Sequence, residues 1–266
     1  ARERRELLSL GVAGGTLDDA FTSWLALADV TARPARPIVG YTSWYRHYAD
    51  IDAAKLGQDL EAEARVLGGL ELGDTDPVFQ IDDGFAKVGD WLDYDEKRFP
   101  EGLGALAGSA RELGLVPGIW LAPFLCERDS RLYAEHPDWL LRDDEGEPVC
   151  CGCNWSYAFA LDTLNPEVRD YVAEVLRTVT QDWGFGILKL DFLFAACVLA
   201  HDGLNRGELM ADALDLVRDT VGEDVRLLLC GVPLTSAFGR CEYCRVGCDV
   251  GLDWDEIGRA SCRERA

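Results

Sequence analysis

Histidine and methionine are scarce in this chain of 266 residues: three histidines, His47, His136 and His201, and one methionine, Met210. The histidines lie far apart and form no paired motif, which argues against a His-rich metal hydrolase. Basic side chains are also few, with 26 Lys and Arg against 48 Asp and Glu and a formal net charge of −22. So acidic a chain repels phosphate backbones and anionic lipid surfaces, so neither nucleic acid nor a membrane is an expected partner. No apolar run approaches the roughly eighteen residues of a spanning helix. No glycine-rich loop follows the first strand candidate, so the usual nucleotide-binding signatures are missing. What is present is a 48% hydrophobic composition, too apolar for a disordered acidic tail, and enough length for a large core.

The chain starts Ala1-Arg2-Glu3-Arg4-Arg5 without an initiator methionine, and it reads as a fragment. Residues 1–30 are expected to be a linker or the remnant of a preceding domain, and 31–255 the main domain. The string from Glu256 to Arg265 resembles the translated read-through of a sequencing adapter, so 256–266 are expected to be non-native. Of ten cysteines, six form two clusters: Cys150, Cys151 and Cys153, and Cys241, Cys244 and Cys248. Cys241-x-x-Cys244 has zinc-like spacing but no second pair at a finger-like distance. A joint metal site and disulfides are alternatives; reduced thiols in a cytoplasmic protein are the favoured reading.

From about residue 37, short apolar runs alternate with amphipathic stretches. The runs Ile38–Tyr41, Val78–Ile81, Val116–Leu121, Ile187–Asp191, Arg226–Cys230 and Arg245–Val250 are expected strands. Helices are expected over 52–68 and 103–113, after Asn165-Pro166 (an N-cap followed by proline at the first helical position), and over 206–220. A polar excursion over 125–162 reads as a long functional loop. Strand–helix alternation of this kind predicts an α/β fold, specifically a (β/α)8 TIM-type barrel with about six of its eight strands present. A doubly wound sheet is the alternative. An unclosed barrel would expose two sheet edges, so this polypeptide made alone is expected to be unstable or aggregated.

A barrel keeps its chemistry at the C-terminal ends of its strands. Asp82 and Asp83 end the second strand, Trp120 lies near the end of the third, Lys189 and Asp191 end the fourth, Cys230 the fifth, and Arg245 and Asp249 flank the sixth. Lys189 and Asp191, two residues apart, aim at one face. Four carboxylates, two cations and an aromatic platform suit glycoside chemistry, which needs two carboxyl groups in complementary roles. Each residue also has a plainer reading: Asp82-Asp83-Gly84 as a turn, Lys189–Asp191 as a structural ion pair, Trp120 as core, and Asp138-Trp139 as loop packing. His201-Asp202 reads as a solvated loop pair.

Five stretches occur together: Phe79-Gln80-Ile81-Asp82-Asp83-Gly84-Phe85, Gly118-Ile119-Trp120-Leu121-Ala122-Pro123-Phe124, His136-Pro137-Asp138-Trp139, Leu188-Lys189-Leu190-Asp191 and Arg245-Val246-Gly247-Cys248-Asp249-Val250. In their order and spacing the chain resembles the melibiase-type α-galactosidases, retaining glycoside hydrolases with a (β/α)8 catalytic barrel. The resemblance runs from about Pro37 to Asp255. It implies Asp191 as nucleophile and Asp249 as general acid/base. It further implies Asp82 and Asp83 on the 4- and 6-hydroxyls of galactose, Lys189 on the 3- and 4-hydroxyls, Arg245 and Cys230 near the 2- and 3-hydroxyls, and Trp120 as a pocket wall. Lys189 beside Asp191 is expected to keep the nucleophile ionised. No cofactor and no metal is implied. The expected partners are galactose-containing oligosaccharides of the melibiose and raffinose type, with oligomer formation left open. Other readings are a raffinose-type galactosyl transferase, a metal-dependent barrel lyase using Asp83 and Asp191, and an inactive carbohydrate-binding fragment.

Overall fold

The structure is a computed structural model that describes residues 14–247 and Asp249. The remaining positions, including Cys248, Val250 and the expected non-native tail, lie outside the described residues. Helix α1 (Leu17–Leu27) comes first, capped by Thr16 in a capping box with Asp19. Strand β1 (Ile38–Thr42) leads through the short turn α2 (Trp44–His47) into α3 (Ala53–Leu67). Then follow β2 (Asp76–Ile81), α4 (Leu103–Glu112) and β3 (Val116–Leu121). An insert carries β4 (Leu125–Glu127), α5 (Arg131–Glu135), β5 (Cys150–Gly152) and β6 (Ala158–Ala160). The alternation resumes with α6 (Pro166–Arg177), β7 (Ile187–Leu190), α7 (Arg206–Val221), β8 (Arg226–Leu229), α8 (Leu234–Ala237) and β9 (Tyr243–Cys244).

The main sheet has six strands in the order β1-β2-β3-β7-β8-β9, every neighbouring pair parallel. The order never reverses. A doubly wound sheet requires a reversal, so this is a curled segment of a barrel wound in one direction, as expected. Phe79, Ile81, Ile119, Leu121, Leu188, Leu190, Leu227 and Leu229 are buried on the outer face, beneath the helices. Helix α6 shows why its sequence folds there. Asn165 accepts from the Glu167 amide, Pro166 takes the first helical position, and Val168, Val172, Val175 and Val179 are all buried. A π-helical turn at Thr178–Asp182 ends it.

Three expectations are corrected. The sixth strand is Tyr243–Cys244 rather than Arg245–Val250; Tyr243 and Cys244 pair with Leu228 and Leu229, and Arg245 N donates to Leu229 O as the strand leaves the sheet. The 125–162 excursion is not a bare loop. Its β4, β6 and β5 form an antiparallel sheet, which supplies partners for backbone groups that a long buried loop would leave unpaired. His201 is also less solvated than expected: its side chain is 14% exposed and lies 3.4 Å from Asp162.

Residues beside the two edges of the sheet meet across its opening. Arg33 Nε donates to Glu242 Oε1 at 2.6 Å, and Tyr243 Oη to the Arg36 carbonyl at 2.7 Å. Arg226 on β8 pairs with Asp76 on β2. The eight cysteines among the described residues are all free thiols. No helix among them is long and apolar enough to cross a membrane.

Candidate active site

The strand ends converge on a cavity of about 260 Å³ lined by Trp44, Ala49, Asp82, Asp83, Trp120, Asn154, Trp155, Lys189, Asp191, Phe192 and Asp249. Six of the eight residues singled out in the sequence therefore face one space. The other two, Cys230 and Arg245, line an adjoining cavity of about 250 Å³ that shares Lys189 with the first.

Asp82 is 2% exposed and fully engaged. Its Oδ2 accepts from Lys189 Nζ at 2.9 Å, Gln80 Nε2 at 2.8 Å and Thr42 Oγ1 at 3.1 Å; Oδ1 accepts from the Asp83 amide. This corrects the expected Lys189–Asp191 pairing. The long lysine side chain reaches across β3 to the carboxylate at the end of β2. Burial alone would depress the ammonium, but the Asp82 carboxylate outweighs it and holds Lys189 above its ordinary value.

Asp83 has no lysine partner, and burial pushes its carboxyl up to about 6, even though Trp155 Nε1 donates to Oδ2 at 2.8 Å. Asp191 Oδ1 accepts from the Phe192 amide at 2.8 Å, and Oδ2 from Trp120 Nε1 at 3.3 Å. The cation in ion-pair contact with it is Arg245, whose Nη2 is 3.7 Å from Oδ1, with Lys189 acting on it at longer range. The same guanidinium binds Asp249 Oδ1 through Nη1, so one fork spans both carboxylates. Tyr45 Oη also donates to Asp249 Oδ1, at 3.3 Å. Cys230 is fully buried, and burial pushes its thiol up to about 12, which keeps it protonated at neutral pH.

Sequence reasoning missed Trp44, Asn154, Trp155 and Phe192. Trp120 and Trp155 lie 6.1 Å apart, and Trp155 and Phe192 5.1 Å apart, as an aromatic wall. Trp155 and Phe192 both have φ of 52°, a left-handed conformation that bulky residues adopt only when their surroundings enforce it. For Phe192 the enforcement is visible: its amide is tied to Asp191. No local sequence signal marks such a residue. Among the described residues no group of three or more His, Cys, Asp or Glu side chains is arranged to hold a metal ion.

The family model described as Melibiase matches residues 21–195, about two thirds of the chain. The chain belongs to the Melibiase family. Its most similar relatives include α-galactosidase Mel36A of Lactobacillus acidophilus, 31% identical over 164 residues that make up 59% of this chain and 20% of that protein. Another is α-galactosidase 1 of Pediococcus pentosaceus, 36% identical over 156 residues, 56% of this chain and 20% of that one. Among solved structures, the α-galactosidase of Thermus thermophilus in complex with stachyose superposes with a TM-score of 0.78 at 38% identity, covering 92% of this chain and 51% of that one. The chain thus spans about a fifth of these curated relatives and about half of the Thermus protein. The superposition takes in the curled parallel sheet and supports the barrel assignment for this member of the family.

Proposed function

We propose that this chain carries the catalytic strands of a retaining α-galactosidase acting on terminal α-galactosyl groups of oligosaccharides. The observation that carries the reading is the pair of carboxylates Asp191 and Asp249, spanned by Arg245 at one side of a cavity whose other side presents Asp82, Asp83 and Lys189. The same fold in the Thermus protein was solved with stachyose and with p-nitrophenyl α-D-galactopyranoside, which supports galactosides as the substrate class.

In this reading Asp191, held by Trp120 and the Phe192 amide, attacks the anomeric carbon as the glycosidic bond breaks. Asp249 gives its proton to the leaving oxygen. In the second step Asp249 takes a proton from water, which displaces Asp191 from the sugar with net retention. Asp82, Asp83 and Lys189 supply acceptors and a donor to ring hydroxyls. A carboxylate fixed against an axial 4-hydroxyl would be left unpaired by a glucoside, which gives selectivity. The aromatic wall of Trp120, Trp155 and Phe192 packs against the apolar sugar face. We assign the catalytic domain to 31–255.

The test is hydrolysis of melibiose and p-nitrophenyl α-galactoside by the full-length protein, with the first-formed anomer read by NMR. The α-anomer is expected. Asp191→Ala is expected to abolish turnover, and undiminished activity in that variant sinks the assignment. Excess sucrose in the same assay separates hydrolysis from galactosyl transfer.

A further inference from the structure

Helix α2 is a single four-residue turn, Trp44–His47, and its N-terminal Ser43 makes no side-chain cap to it. The Ser43 hydroxyl instead accepts from the Asp82 amide. A helix this short has no stability of its own, so its position is set by what its side chains hold. Two of them serve the site: Trp44 lines the cavity and Tyr45 donates to Asp249. The next two turn the other way and converge on one carboxylate. Arg46 Nη1 is 3.1 Å from Asp59 Oδ1, and His47 Nε2 is 2.6 Å from Asp59 Oδ2.

Asp59 sits on α3 and is 4% exposed. Its Oδ2 also accepts from Tyr41 Oη on β1 at 2.6 Å. One buried carboxylate therefore ties together the strand before the turn, the turn itself and the helix after it. Nothing in this group touches the cavity. We propose that Asp59 is a positioning residue: by holding Arg46 and His47 it fixes the turn that delivers Tyr45 to Asp249. With Asp249 Oδ1 occupied by Tyr45 and Arg245, the transferable proton is left to Oδ2, and a turn that drifts removes one of the two groups that make that selection. The inference rests on the role proposed for Asp249.

The test uses Asp59→Asn in the full-length protein, with two readouts. Backbone amides of Trp44–Tyr48 are expected to exchange with solvent about tenfold faster or more while those of α6 stay unchanged, since only the local opening is affected. Unchanged exchange at the turn overturns the inference whatever the activity shows. Hydrolysis supplies the second readout, because a sugar leaving group needs the proton that p-nitrophenolate does not. The variant is expected to lose about tenfold or more in kcat/KM on melibiose and less than about threefold on p-nitrophenyl α-galactoside, within the range that a general acid supplies.

Tyr45→Phe is expected to show the same split, and adding Asp59→Asn to it should bring little further selective loss. Equal losses on both substrates, or additive effects, would reduce Asp59 to a stability residue. Should Asp59→Asn fail to fold, His47→Gln removes one hold on the turn while leaving Tyr41 on Asp59, and the same two readouts apply. Wild-type protein inactive on both substrates would refute the proposed function, while the exchange result would still decide the positioning.

Discussion

Glu63 lies one helical turn beyond Asp59 on α3, is 9% exposed, and meets no partner in good hydrogen-bond geometry, the Tyr41 amide giving it only weak support. It is wedged against β1: a Cβ on Gly40 would lie 2.8 Å from Glu63 Oε1 and 1.9 Å from the Val78 carbonyl. Burial pushes its carboxyl from 4.5 up to about 7. At about 1.4 kcal/mol per pH unit this corresponds to roughly 3 kcal/mol, and residual solvent access reduces the expected effect to about 2 kcal/mol. The folded chain keeps this proton up to about pH 7, whereas the unfolded chain releases it near 4.5. Between those values the folded state binds more protons, so the stability that Glu63 allows at low pH is lost as pH rises toward 7. Glu63→Gln cannot ionise. Its stability relative to wild type is therefore expected to rise by about 2 kcal/mol from pH 5 to pH 8, or about 4–8 °C in Tm for a chain this size. An unpaired amide adds its own cost, but equally at both pH values, so the comparison cancels it. Thermal unfolding of both proteins at pH 5 and pH 8 decides the matter. A gap that is constant or shrinks with rising pH would refute the reasoning.

Three further outcomes are expected. Asp83 protonates below about pH 6, which removes an acceptor from the cavity; KM for an α-galactoside should rise on that side, and Asp83→Asn should show a high KM with no such acid limb. Lys189→Met leaves the buried Asp82 carboxylate without its cation, and denaturant unfolding should show a loss of about 3–5 kcal/mol, part of it recovered when Asp82→Asn is added. Asn165→Ala removes the cap of α6, which does not line the cavity, and should lower stability by about 1 kcal/mol with KM unchanged.

The barrel was legible because its strands are short apolar runs ending in polar residues and its helices carry ordinary signals such as Asn165-Pro166. The catalytic carboxylate candidates were legible because two-residue alternation along a strand fixes which side chains share a face. The last strand was misplaced because Tyr243–Cys244 is only two residues long and carries no periodicity, whereas Arg245-Val246-Gly247 looks more strand-like than it is. The Lys189 partner was misjudged because sequence proximity to Asp191 says nothing of a carboxylate on β2, within reach of a four-carbon stem. Trp155 and Phe192 escaped because their places depend on left-handed backbone and on a hairpin read as loop. Asp59 and Glu63 escaped because they are charged: both fall on the same helical stripe as Leu56, Leu60 and Leu67, and only the packing of α3 on β1 reveals that the stripe buries them too.

The contacts across the opening of the sheet bear on how the chain reaches its folded form. Arg33 and Glu242 are 209 residues apart, Arg36 and Tyr243 are 207, and Tyr45 and Asp249 are 204. Each strand pair between these ends can form from nearer neighbours, but these three contacts wait until β9 and the residues after it have left the ribosome. Such long loop closures come late and slowly. The carboxylate assigned as proton donor therefore gains its tyrosine partner among the last steps, and during synthesis most of the sheet is in place before the site is competent.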